Sequence, residues 1–243
     1  TDPGSFFAAL DKGEKLRAIY DIYPQNVFNV VSLKSQNIRQ PADLKGKRIG
    51  VYSLSSGTRQ NLQVLLHQAG LSESDVTLVV TGLLNFAPLM QGQVDATAAT
   101  DTGLLIGRQR GLGDVNVMEV RNHLNLSSDL FVVREDTYQR RKDVLKRFLQ
   151  AYKDSMTWMM RSPEEAAQLA VKRAIDGQNL AMNLDIIKLR NASSVSTTTQ
   201  AKGLGAFDLV SLQKGVQAYK AFGLIQRDIA VQDVVSQDLL PAP

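Results

Sequence analysis

The sequence predicts an α/β protein with a largely parallel sheet, built as two similar lobes and finished by a helical tail. Three observations predict it. Helix-like and strand-like segments alternate through the first half with short loops between them, the pattern of parallel strands joined by crossovers. A short phrase occurs twice, Thr1-Asp2-Pro3-Gly4 and Thr100-Asp101-Thr102-Gly103, each followed by apolar residues, a glycine and an apolar run. Beyond Val133 the strand pattern gives way to long segments of helical period.

Taken in order, residues 5–12 read as helix and 15–23 as strand. NVFNVVSLK, residues 26–34, is a longer strand rich in β-branched residues. A polar loop with Pro41 and a tight DLKGKR turn lead to a short buried strand at 49–52. A Ser/Gly loop at 53–58 opens a helix over 59–69, which Gly70 ends as a left-handed cap. Residues 76–80 form a strand, Asn85 caps a helix to Gln91, Gly92 stops it, and 94–100 form a strand again. The tail opens with a helix over 138–160, carrying Val144, Leu145, Phe148, Ala151, Tyr152 and Met159 at helical spacing. Ser162-Pro163-Glu164-Glu165 is a helix start, with proline at the first position and acids in the first turn. A polar loop spans 192–205, and Asp208 caps the helix after it. Met156, Trp158, Met159 and Met160 read as core.

The strands NVFNVVSLK and SSDLFVVRED bracket the Rossmann-like middle. If both cross between lobes, the middle is an inserted lobe, residues 35–128. Residues 1–34 and 129–243 then share the other lobe, with a cleft between the two and a hinge of two strands.

Composition narrows the chemistry. At 243 residues, 44% hydrophobic and 21% charged, the chain can bury a substantial core as an ordinary globular protein. It has no cysteine, which removes disulfides, thiolate nucleophiles, iron–sulfur clusters and cysteine zinc sites together. The two histidines, His67 and His123, cannot make a three-histidine metal site. His67 sits mid-helix, where an exposed structural role outweighs catalysis. The formal net charge of +4 suits an anionic ligand. The densest basic cluster, Arg140 to Arg147, lies on a helix with an apolar opposite face and reads as a solvated face rather than a nucleic-acid footprint. No apolar run is long enough to span a bilayer, and no signal-peptide pattern opens the chain. The first residues read as the middle of a fold, so a truncated or processed beginning is expected.

The stretch IGVYSLSSGTRQNLQVLLHQAGL carries the most chemistry. A strand runs into Ser53, Ser55, Ser56, Gly57 and Thr58, and a helix begins. Backbone N–H groups at a helix start with hydroxyls beside them make an anion site. The loop matches neither a Walker motif nor GxGxxG. Capping by Ser56 or Thr58 and contact with a ligand stand as equal readings of the local pattern. The loop at Thr100-Asp101 favours a ligand, because it too follows a strand at the same sheet edge.

ADLKGKRIGV, then SSGT opening a helix, then a Gly-Leu stop, then LMQGQVDATAATD, resembles the ABC-transporter solute-binding proteins of the nitrate/sulfonate/taurine and thiamine-pyrimidine group. The likeness covers residues 1 to about 150, and TDPGSFFAALDKGEKLRAIYDI resembles that group's segment after its second strand. It implies the two-lobed clamshell of type II periplasmic binding proteins, with Rossmann-like lobes, a helical C-terminal region and the N-terminal quarter lacking. The two TDxG phrases would then be cleft loops. The resemblance places ligand contacts on Asp2, Gly4 and Ser5, on Ser55, Ser56, Gly57, Thr58 and Arg59, and on Thr100 and Asp101. Ser5, Ser56 and Thr58 would donate to ligand oxygens, and Arg59 would add charge or point to solvent. Sulfonate binders of the group often carry tryptophan where Thr100 stands, a departure that bears on alkanesulfonate in particular.

The implied function is capture of a small anionic organic solute for an ABC importer, by a monomer working with a membrane permease and an ATPase, without nucleic acid. The protein would be periplasmic or lipid-anchored outside the cytoplasmic membrane after removal of a signal peptide. Alternatives are a binder of a thiamine-pyrimidine precursor or another aromatic solute, and the ligand-sensing domain of a signalling protein. No catalytic residue, cofactor or metal is expected. The fungal pyrimidine synthase of the superfamily needs a cysteine-rich metal motif that this chain lacks.

Overall fold

A computed structural model describes residues 1–175, 177 and 179–242. The elements of the first half are α1 (Pro3–Asp11), β1 (Leu16–Tyr23), β2 (Phe28–Leu33), β3 (Arg48–Val51), α2 (Gly57–Gln68), β4 (Thr77–Val80), α3 (Ala87–Met90), β5 (Ala96–Thr100), α4 (Asp101–Gln109), β6 (Val115–Glu119) and β7 (Asp129–Arg134). Helices follow: α5 (Glu135–Arg140), α6 (Lys142–Arg161), α7 (Pro163–Arg173), α8 (Leu180–Ser193), α9 (Thr197–Lys202), α10 (Leu209–Ala221) and α11 (Val231–Val234). The chain forms two compact units, one of Thr1–Gln25, Ser127–Lys214 and Asp228–Pro243, the other of Asn26–Leu126 and Gly215–Arg227. The first is called unit 1 and the second unit 2.

Unit 2 holds a five-stranded sheet in the order β4-β3-β5-β2-β6. β3 pairs in parallel with β4 and β5, and β2 pairs antiparallel with β5 and β6. Four strands therefore run one way and β2 alone runs against them. Alternating burial follows from the period of two along each strand. Val30 and Ala98 pack with Ile49, Leu62 and Leu65 on the α2 face, while Val31 and Ala99 pack with Phe86, Leu89 and Leu104 on the other. Both faces are covered, as a largely parallel sheet requires. The boundary of this unit falls before β2, at Asn26, whereas the sequence placed it after that strand at residue 35. The reason is that β2 is hydrogen-bonded on both edges within the sheet, so it serves as a central strand and not as a crossing strand. The unit also takes in residues 215–227, where Phe222 packs against the α2 face.

Unit 1 differs. Its described strands are the antiparallel pair β1–β7, so two similar lobes with equal sheets do not emerge. Its core is aromatic: Tyr20 packs with Phe131 and Tyr152 beside Leu145 and Leu149 of α6. The Gly205 carbonyl accepts from the Asp21 N–H, and Gly205 sits at φ 90°; a Cβ there would lie 2.2 Å from the Tyr20 ring, so glycine is needed twice over. Asp21 is 2% exposed, with Ser127 Oγ donating to it at 2.6 Å. Burial, with smaller contributions from Asp208 and Asp129, pushes its carboxyl up to about 8 against the hydrogen bond from Ser127.

Three local expectations change in unit 1. The helix expected over 138–160 breaks at Arg141, between α5 and α6. The polar loop at 192–205 contains α9, started by a capping box in which Ser196 and Thr199 exchange bonds. Trp158 is 40% exposed although Met156 is buried, because the buried stripe of α6 runs Leu145, Leu149, Met156 and Trp158 falls about 200° further round. Asp208 caps as expected, accepting from the Ser211 N–H at 3.0 Å and Oγ at 2.7 Å.

Candidate functional site

β4, β3 and β5 are neighbours and parallel, so their carboxyl ends emerge along one edge. Ligands of open α/β sheets bind beyond that edge. In unit 2 it borders a cavity of about 410 Å³. Behind β3 stand Tyr52 and Thr58, behind β4 stand Thr81, Gly82 and Leu83, and β5 contributes Ala98, Ala99 and Thr100. Asn85, Ile106 and Arg110 complete the wall. Two residues expected at the site, Thr58 and Thr100, thus share one cavity. Ser55, Ser56 and Gly57 belong to the loop that carries Thr58, while Asp2, Gly4 and Ser5 belong to unit 1.

The loop before α2 bonds to itself. Ser56 Oγ donates to the Ser53 carbonyl at 2.8 Å, and Thr58 Oγ1 accepts from the Tyr52 N–H at 3.0 Å. With the Ser56 proton so placed, the 2.7 Å contact between the two hydroxyls is a donation by Thr58. Ser56 is the N-cap residue, yet its side chain bonds no helix N–H, and α2 carries no acid in its first turn. The capping reading therefore gives way: neither hydroxyl caps, and among the described residues no acid or capping side chain claims the positive end of α2.

The other two helix starts are claimed. Asp2 caps α1, accepting from the Ser5 N–H at 2.9 Å and from Ser5 Oγ at 2.8 Å. Ser5, expected to donate to a ligand, donates instead to a carboxylate three residues away. At α4, Thr100 Oγ1 accepts from the Gly103 N–H at 3.3 Å and Asp101 Oδ1 accepts from the Thr102 N–H at 2.6 Å. Negative charge already sits at both ends, where a dipole would otherwise favour a ligand's charge.

Arg59 is a correction. Its guanidinium binds Glu73 through two contacts of 2.7 and 2.6 Å and donates to the Leu54 carbonyl at 2.7 Å, so it anchors the loop rather than presenting charge to a ligand. Asn85 is another. It does not cap α3, whose N-cap is Phe86; it adopts φ 51° and ψ −104°, a rare conformation for a residue with a Cβ. Its amide lies over the first turn of α4, 2.9 Å from where a Cβ at Gly103 would be, which is why glycine stands there.

Sequence reasoning did not mark Tyr52, Leu83 or Arg110. Leu83 had a signal, since two leucines follow the turn glycine at the end of β4, and Leu83 is 88% exposed. Arg110 had none, as a cation before Gly111 reads like any helix end. His67 is exposed, and its ring meets that of Phe222 at a tilt of 50° with centroids 4.6 Å apart. Among the described residues, no group of three His, Cys, Asp or Glu side chains could hold a metal ion, and no helix is long and apolar enough to cross a membrane.

A family model described as NMT1/THI5 like matches residues 1–166. The riboflavin-binding protein RibY of Chloroflexus aurantiacus is 21% identical over 244 residues, covering 99% of this chain and 69% of RibY. The 4-amino-5-hydroxymethyl-2-methylpyrimidine phosphate synthase of Schizosaccharomyces pombe is 25% identical over 169 residues, 64% of this chain and 48% of that enzyme. The alkanesulfonate-binding protein SsuA of Xanthomonas axonopodis pv. citri, solved with MOPS bound, superposes with a TM-score of 0.74 at 18% identity, covering 98% of this chain and 79% of SsuA. Its likeness shows the fold, which is the periplasmic-binding-protein class expected from the sequence.

Proposed function

We propose, for a chain that belongs to the NMT1/THI5 like family, that it is a solute-binding protein which captures a small organic anion for an ABC importer. One observation carries the reading. The carboxyl ends of three parallel strands meet at a cavity beside the uncapped, acid-free start of α2, with the hydroxyls of Thr58 and Thr100 in its wall. A ligand's anionic group would be held by the first N–H groups of α2 and by the dipole behind them. Ser55, Ser56 and Gly57 shape that loop, and Arg59 holds it in place through Glu73. Asp2, Gly4, Ser5 and Asp101 are expected to position helices rather than to touch the anion.

In this reading the protein turns nothing over and binds no cofactor or metal. It acts as a monomer outside the cytoplasmic membrane, periplasmic or lipid-anchored, delivering solute to a permease driven by an ATPase. The zero cysteine count argues against the cysteine-dependent chemistry of the fungal pyrimidine synthase in particular.

A second reading has its own observation. Tyr52, Leu83 and Ile106 give the cavity an apolar wall suited to a ring, so an uncharged pyrimidine or another aromatic solute is the competing class. Thermal-shift and calorimetric titration with alkanesulfonates, taurine and nitrate on one side, and aminopyrimidines and riboflavin on the other, separates them. Ligand at a hundredfold excess over Kd stabilises the folded state by about 2.7 kcal/mol, which shifts melting by about 5–10 °C in a chain of this size. Saturable binding of an anion supports the first reading. Binding of uncharged rings in preference replaces it with the second, and no binding from either set overturns both.

A further inference from the structure

Arg110 stands in the cavity wall and is exposed at the end of α4. Three arginines of unit 2 are held in ion pairs: Arg48 with Asp95, Arg59 with Glu73 and Arg121 with Glu119. Arg110 forms no ion pair among the described residues. Its charge favours the carboxyl end of α4 in any case, a contribution that needs no ligand. Its position in a cavity wall is what that role does not explain.

The wall has an order along α4: Thr100 is its N-cap, Ile106 lies within it and Arg110 follows its last residue, while Thr58 and Leu83 come from the segments after β3 and β4. From Thr100 to Arg110 the helix rises roughly 15 Å, and a long side chain leans back toward the helix start, leaving roughly 10 Å between the two polar ends. Leu83 is 88% exposed, so a ligand body laid against it would remove apolar surface from water.

Resting on the anion reading above, we propose that the preferred solute has two anionic groups joined by a flat apolar middle, and that Arg110 pairs with the second and sets specificity for it. The first group sits at α2, the middle lies against Leu83 and Ile106, and the guanidinium meets the far group through paired N–H donors. A solute with one anionic end would bind without this contact. Because Arg110 is otherwise solvated, the discrimination comes from a gained contact and not from a penalty.

The test uses naphthalene-2-sulfonate and naphthalene-2,6-disulfonate, which differ only in the far sulfonate, in calorimetric titrations at low salt. The wild type is expected to bind the disulfonate about five- to thirtyfold more tightly, the range of a charge-assisted contact near a surface. Arg110→Gln should erase that advantage while leaving the monosulfonate Kd within about twofold, Arg110→Lys should retain part of it, and Arg108→Gln should change neither probe. Equal binding of the two probes by wild type overturns the inference and leaves the anion reading standing, as does an equal loss of both in Arg110→Gln. Failure of wild type to bind either probe overturns the inference, and the anion reading falls with it only if the alkanesulfonates, taurine and nitrate also fail to bind.

Discussion

Asp2 and Asp101 hold the same place in two like phrases, TDPG and TDTG, and occupy different positions in the helices that follow. Asp2 is the cap of α1 because Pro3, with its fixed φ and missing N–H, takes the first helical position. Without a proline, α4 begins one residue earlier in its phrase: Thr100 is the cap and Asp101 the first helical residue. The shift alters which oxygen meets which N–H, yet the electrostatic result is the same, a carboxylate at the positive end of each helix. α2, opened by Ser55-Ser56-Gly57-Thr58, has neither an acid nor a capping bond. The repeated phrase marks helix starts already satisfied from within the chain, and the unrepeated one marks the start left open.

Making α2 resemble α1 is the strongest way to break this comparison. Ser56→Asp should supply the missing cap and a favourable charge, stabilising the fold by up to about 1 kcal/mol despite loss of the Ser53 contact. The same carboxylate would repel an anion a few ångströms away. At an effective dielectric near 20 that repulsion reaches about 4 kcal/mol, so anion affinity should fall at least a hundredfold. Folding and binding move in opposite directions, which melting and titration of one variant will read. If affinity survives, α2 is not the anion end.

A third acid sharpens the comparison from the opposite side. Asp21 sits in the strand β1 rather than at a helix start, and burial raises its folded pKa to about 8 from 3.8. The group favours the fold when protonated. Its stabilising share is complete below about pH 4 and is lost as pH rises through about 8. Wild type should therefore melt about 5 °C lower or more at pH 9 than at pH 5 through this group, at about 2–4 °C per kcal/mol. Asp21→Asn, which keeps an acceptor for Ser127, should flatten that profile. A slope unchanged by the substitution would show that Asp21 ionises without cost.

The two caps come next. Asp2→Ala removes both bonds from Ser5 and the charge, and is expected to cost about 1–2 kcal/mol. Thr100→Ala removes a longer 3.3 Å cap while Asp101 stays in place, at about 0.5–1 kcal/mol. Equal losses would erase the distinction between an acid cap and a hydroxyl cap reinforced by a neighbouring acid.

Strand and helix periodicity made most of unit 2 readable from sequence. Val30 and Val31, or Ala98 and Ala99, had to face opposite sides, and β3, β4 and β5 had to run together. The strand edge holding Thr58 and Thr100 followed from that. What local pattern does not encode is who answers a side chain from far along the chain. Arg59 looks free in the sequence until Glu73, fourteen residues on, closes on it. Asn85 looks like a cap until its positive φ turns it over α4. β2 looks like a hinge strand because β-branched composition is the same for a crossing strand and a central one, and only its partners β5 and β6 decide.

The smallest expected effect belongs to Thr58→Ala. Its hydroxyl accepts from the Tyr52 N–H and donates to Ser56 Oγ, so both of its main valences are engaged within the loop. Tyr52 is 49% exposed, and water can take over the lost acceptor. The cost in stability should be under about 1 kcal/mol, near the net value of one hydrogen bond. Binding should weaken only about three- to tenfold, because the main-chain N–H groups of α2 remain and the hydroxyl must leave Ser56 before it can serve a ligand. Titration and melting of the same variant check both figures. A hundredfold loss of affinity with an unchanged melting temperature would mean that the hydroxyl, and not the helix start, holds the anion. Unchanged affinity with a lowered melting temperature would make Thr58 a brace for the loop alone. The contrast with Ser56→Asp then locates the site: if the main-chain end of α2 receives the ligand, adding a charge beside it must matter far more than removing a hydroxyl from it.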